Sequence, residues 1–183
     1  MKSIMDQARK GDPVALAQAL VSTPSVNPML EEGGAGEAEV AELTAGWLTE
    51  WGLAVEVSEV APARCNVLAH LGDVRGDGPV ALLNGHLDTV GVVGMSIPPF
   101  GGELRDGRLW GRGSCDMKGG VAAILAATAR LAQDDHPGPL IVALTADEEH
   151  ASVGMEALVR LGVGADAAVV CEPTNLAIMP AHK

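Results

Sequence analysis

A chain of 183 residues, 48% of them hydrophobic, can bury one sizeable core and is too apolar to be disordered by default. A formal net charge of −12 speaks against nucleic acid and anionic membrane as partners, and aromatics at only 2% leave little for base stacking. Three cysteines at wide spacing, Cys65, Cys115 and Cys171, make no disulfide framework and read as reduced thiols of a cytoplasmic protein.

The first ten residues carry charges and no apolar centre, so they do not read as a signal peptide. No stretch reaches the roughly 18 apolar residues that suggest a membrane span. Asp12-Pro13 opens a helix, with Asp12 as N-cap and Pro13 in the first turn. Val14, Ala17, Leu20 and Val21 are expected on its inner face, and Pro24 closes it. A Gly-rich loop around residues 33–36 leads to a second helix over 37–51. Its stripe is Val40, Leu43, Trp47, Leu48 and Trp51, and Gly52 stops it.

Strand-like runs follow at 54–60, 66–71 and 80–83, then a hairpin over 101–110 turning at Asp106-Gly107. An Ala-rich helix is predicted over 119–133, a strand over 140–145, a helix over 154–161 and a strand over 167–171. A last strand is predicted over 176–181. Strands alternating with helices predict an α/β fold, a mostly parallel sheet covered by helices on both faces.

In such sheets ligand sites form beyond the carboxyl ends of the strands. Four segments place acidic or imidazole side chains there: His86 and Asp88, Asp116, Asp147-Glu148-Glu149, and Glu172. His86 and Asp88 are two apart, so on an extended segment they share a face, and a metal-bound imidazole usually gives its other N–H to a carboxylate. Glu148 and Glu149 are adjacent and must diverge, which lets one ligate while the other acts as general base. Each signal alone has a plainer reading: a capped turn for Asp88, a helix N-cap for Asp116, a solvated acidic loop for Asp147-Glu148-Glu149, an acidic strand end for Glu172. Cys115 and Cys171 adjoin these residues, and alternation is expected to turn both into the core.

Taken together, the segments resemble the metal-dependent hydrolases that include acetylornithine deacetylase, succinyl-diaminopimelate desuccinylase, aminoacylase and carboxypeptidase G. The resemblance is carried by Gly85-His86-Leu87-Asp88-Thr89-Val90, residues 111–120, residues 145–149 and Cys171-Glu172-Pro173-Thr174, with Thr23-Pro24-Ser25-Val26-Asn27-Pro28 as an opening motif. It implies a zinc-exopeptidase-like catalytic domain with two divalent metal ions, zinc first, cobalt or manganese as alternatives. It implies His86 and Glu172 on one metal, Asp116 bridging, Glu149 on the second, Glu148 as general base and Asp88 orienting His86. It also implies a cis Asp116–Met117 peptide. The substrate it implies is a small N-acylated amino acid or peptide. Five carboxylates so close together need cations to stay ionised.

Members of that family continue past the point matching Lys183, into a lid or dimerisation domain and the remaining metal-ligand His. Residues 1–183 are therefore expected to be the N-terminal portion of one catalytic domain, inert alone, with the longer form a homodimer. The alternative is a non-catalytic metal-binding or interaction protein on the same scaffold. His70, His136, His150 and His182 are expected to be ordinary structural or surface residues.

Overall fold

The computed structural model describes residues 3–134, 138–175 and 177. The strand expected over 176–181, and His136 and His182 with it, lie outside the described residues.

Among the described residues, five helices and seven strands follow in chain order. They are α1 (Ile4–Ala8), α2 (Pro13–Ser22), α3 (Ala38–Glu50), β1 (Ala54–Ala61), β2 (Arg64–Leu71), β3 (Ala81–His86), β4 (Glu103–Arg105), β5 (Arg108–Trp110), α4 (Lys118–Leu131), β6 (Leu140–Thr145), α5 (Val153–Leu161) and β7 (Ala167–Val170). Helix α2 begins as its sequence dictates: Asp12 accepts a hydrogen bond from the Ala15 amide, and Pro13 stands where no N–H is needed. Its buried face is Ala15, Leu16, Ala19, Leu20 and Val21, with Val14 exposed, so the apolar stripe is rotated from the expected one. Helix α1, one short capped turn, gives no apolar period to read.

The main sheet has the order β1-β2-β6-β3-β7. β3 pairs in parallel with β6 and β7, whereas β2 runs antiparallel to both β1 and β6. Four strands thus point one way and β2 alone runs against them. The sheet is mostly parallel by direction and mixed by pairing. β4 and β5 form a separate hairpin across Asp106-Gly107.

Helices α2, α3 and α4 cover one face. Val67, Ala69, Leu71, Leu140, Val142 and Leu144 meet Leu16, Leu20, Val40, Trp47, Leu48 and Leu125 in one continuous core. Helix α5 belongs to the other face, where the Asn66 amide donates to the Gly154 carbonyl. Two glycines let α4 lie close to the strands. A Cβ on Gly85 would stand 3.0 Å from Met117 Cε, and one on Gly120 only 2.6 Å from the Cys171 carbonyl oxygen. No helix among the described residues is long and apolar enough to cross a membrane.

Candidate metal centre

The rim is built by register. His86, the last residue of β3, is level with Thr145, the last of β6. The Leu87 amide then bonds to the Thr145 carbonyl at 2.8 Å, so the two loops leave the sheet side by side. On the other flank β7 delivers Cys171, whose amide bonds to Asn84 O, and then Glu172. Three neighbouring parallel strands therefore empty onto one edge. Asp116 arrives from the turn ahead of α4. Its peptide bond to Met117 is cis.

His86 is the focus. Its Nε2 lies 3.1 Å from Asp116 Oδ1, 3.6 Å from Glu172 Oε1 and 3.9 Å from Glu148 Oε2. Its Nδ1 lies 3.0 Å from the Asp88 carbonyl oxygen and 3.4 Å from the Asp88 carboxylate. Burial works against a charge on this ring, but Asp88, Glu172 and Glu148 outweigh it and raise the pKa to about 9. For Asp88, burial alone would favour the neutral acid. Hydrogen bonds from His86, Asn27 and the Glu148 amide win and hold its pKa low. Burial, then the charges of Asp116, Asp88 and Glu148, push Glu149 up.

All six predicted site residues meet at this edge. Two sets have donor atoms within 4.8 Å of one another: His86, Glu148 and Glu172; and His86, Asp116 and Glu149. The expected grouping put Asp116, not Glu148, beside His86 and Glu172. In the structure Glu148 shares that side instead. The adjacent glutamates do diverge. Glu148 lines a 260 Å³ cavity with Ser152, Met155, Val170 and Glu172. Glu149 borders a separate hollow with Arg112, Gly113, Cys115 and Asp116.

The plainer readings meet the geometry differently. Asp116 does not cap α4: Met117 holds the N-cap position, without a side-chain bond. Cys171 is half-buried and packs against the core, as alternation predicted, whereas Cys115 is exposed. Cys115 lies in a turn, where strand alternation has lapsed. His150 stands half-exposed, 3.8 Å from Asp147.

Beneath the rim lies a layer that the motifs did not announce. Arg64 donates to both oxygens of Glu37, at 2.6 and 2.7 Å, and to Asp147 Oδ1 at 2.9 Å. Burial opposes the charge on Arg64, but Glu37 and Asp147 outweigh it and raise its pKa. Asn27 donates to both Asp88 and Asp147. The one hint in the sequence is an arginine opening an apolar strand, which needs an acid partner if it faces inward. The acid, Glu37, stands at the N-cap position of α3 without capping it; its carboxylate is spent on Arg64.

The model for peptidase family M20/M25/M40 matches residues 82–181. The chain is 40% identical over 173 residues to succinyl-diaminopimelate desuccinylase of Granulibacter bethesdensis, covering 90% of this chain and 42% of that protein. It is 34% identical over 169 residues to acetylornithine deacetylase of Vibrio campbellii, covering 91% and 44%. The chain thus spans less than half the length of these relatives. Human carnosine dipeptidase 1 superposes with a TM-score of 0.72 at 22% identity, over 92% of this chain and 41% of that one, a likeness of fold.

Proposed function

We propose, for a chain that belongs to peptidase family M20/M25/M40, a part in metal-dependent hydrolysis of the amide bond of an N-acyl amino acid or small peptide. The observation that carries this reading is the convergence of two donor groups on one imidazole, His86. One nitrogen and four carboxylates suit a hard-to-borderline divalent cation, zinc first and cobalt or manganese next. The thiols of Cys115 and Cys171 belong to neither donor group.

In this reading His86, Glu172, Asp116 and Glu149 would hold the ions. Bound cations would polarise the scissile carbonyl and lower the pKa of water. Every other role falls to the chain itself. Asp88 holds the His86 ring in one orientation through Nδ1, which keeps Nε2 directed at the rim. Glu148 takes a proton from the attacking water as oxygen bonds to the carbonyl carbon. It returns that proton to the amine nitrogen as the C–N bond breaks. The second proton of the water also ends on the amine, so the products are a carboxylate and an ammonium group. The cavity beside Glu148, walled by Met155, Val170 and Ser152, supports a small substrate with an apolar and a polar side.

The same reading makes the described sheet one part of a catalytic domain that is longer in its relatives, homodimeric in its longer form and cytoplasmic. It leaves nucleic acid and membrane out as partners, in line with the acidic charge. The test has two arms. Calorimetric titration of this chain with zinc and cobalt reads the site. Release of free amine from N-succinyl- and N-acetyl-amino acids, by the longest product of the gene, reads the reaction. Zinc binding with amine release is the expected result. No zinc binding, or zinc binding without hydrolysis of any N-acyl amino acid or dipeptide, overturns it.

A further inference from the structure

We propose that Arg64 is a positioning residue of the metal centre: clamped by Glu37, its guanidinium fixes the Asp147 turn and, through Asn27, the carboxylate on which both halves of the rim are aligned. This inference rests on the metal reading above.

The chain of contacts is continuous. Arg64 Nη2 donates to Asp147 Oδ1 at 2.9 Å. The same oxygen accepts from Asn27 Nδ2 at 2.9 Å, and that nitrogen donates to Asp88 Oδ2 at 2.8 Å. Asp88 then accepts the amides of Glu148 at 3.0 Å and Glu149 at 3.2 Å, while its Oδ1 stands 3.4 Å from His86 Nδ1. One carboxylate thus sets the imidazole from β3 against the two glutamates after β6. Glu37 ties in from the other side. Its Oε1 accepts the Asp147 amide at 3.1 Å as well as Arg64.

Placement separates this group from the reacting atoms. Glu37, Arg64, Asn27, Asp88 and Asp147 are all buried. Asp147 holds a left-handed φ of 67°, a conformation that Asp tolerates and that its own buried contacts keep in place. Apolar side chains of similar volume would fill this space without loss of stability. They could not fix the direction of the Asp88 carboxylate. A planar guanidinium can, because its fork binds Glu37 with two bonds and still reaches Asp147.

The test uses this chain with zinc and cobalt(II) as probes. In the double variant Glu37→Gln/Arg64→Met, an ion pair is removed as a pair, so no lone charge is left in the Glu37–Arg64 contact. Thermal melting followed by circular dichroism establishes that it folds. The expected result is zinc affinity at least about tenfold weaker by chelator competition, with a changed cobalt d–d absorption band. A folded variant with unaltered zinc affinity and an unaltered cobalt band overturns the proposal, since a merely structural role would shift only the melting temperature. If the double variant does not fold, Asn27→Ala decides by the same two readings, because it cuts the link to Asp88 and leaves Arg64 with Glu37. Wild-type chain that binds neither zinc nor cobalt sinks the metal reading and this inference together. Wild-type binding with unaffected variants sinks this inference alone.

Discussion

The floor and the rim of the centre are a few ångströms apart and obey different rules. On the floor, Glu37, Arg64, Asp88 and Asp147 are almost wholly out of water, and each charged group faces an opposite charge or several donors. On the rim, the side chain of Asp116 is 54% exposed and those of Glu148 and Glu172 are 29% exposed. Carboxylates of the same chemistry are therefore fixed below and adaptable above. Low dielectric makes a misplaced floor charge expensive, so geometry is stored there. Contact with water leaves the rim carboxylates able to exchange a proton or a ligand, which is what the proposed hydrolysis would ask of them.

The rim should show its separate character most strongly at Glu148. Glu148→Gln, in the longest product of the gene, should lower kcat by about 10²–10⁴-fold, with zinc content near normal by elemental analysis. Loss of zinc there, with zinc retained in Glu149→Gln, would mean that the two glutamates have exchanged roles. Floor changes should speak through stability instead. Arg64→Met alone strands buried carboxylates and should cost about 3–5 kcal/mol in urea unfolding of the metal-free chain; a loss under about 1 kcal/mol would erase the distinction between the layers.

His86 joins the layers and should show it in pH. Its neighbours are Asp88 from the floor and Asp116, Glu148, Glu149 and Glu172 from the rim. Its pKa rises from 6.5 to about 9 on folding. The stabilisation is therefore complete below pH 6.5 and lost as pH rises through about 9. Urea midpoints of metal-free wild type should fall across that window, and those of His86→Gln should not. Zinc binding below pH 9 should release a proton, measurable from calorimetry in buffers of different ionisation enthalpy. Titration should further show one ion bound about tenfold or more tighter than a second, because Nδ1 faces Asp88 and a single nitrogen serves the rim. Two equally tight ions would contradict the ligand assignment. The smallest effect belongs to the surface: Arg160→Ala, which breaks the exposed pair with Glu156, should change stability by only about 0.3–0.5 kcal/mol.

The rim was legible in the sequence because its residues end apolar runs, and the runs are strands. β6 has the bounds its sequence implies, and strand ends marked His86, the Asp147-Glu148-Glu149 segment and Glu172 as candidates, while the division of roles among them came from the family resemblance. Of the floor, Asp88 and Asp147 were legible and the rest was not. Glu37 reads as the start of a helix, Arg64 as a residue ahead of a strand and Asn27 as part of a proline loop. Their meaning comes from contacts across 27, 61 and 83 residues, which no local period encodes. The rotation of the α2 stripe has a similar cause. Val14 is apolar but 47% exposed, while Ala15 and Leu16 of the same turn are buried, so burial follows the side of the helix that meets the core rather than the residue type.

The reversed strand β2 has a kinetic consequence. β1 and β2 meet through a tight connection, so that hairpin can close on the microsecond scale. Its pairing with β6 has to wait for a far more distant segment of chain, and loop closure of that kind is slow. Arg64 sits at the start of β2 and reaches Glu37 across 27 residues but Asp147 across 83. The clamp is therefore half-assembled early and completed only when the central strand docks. A partly folded chain offers scattered carboxylates without the aligned imidazole, so a cation taken up at the proposed site would be captured after folding and would not nucleate it.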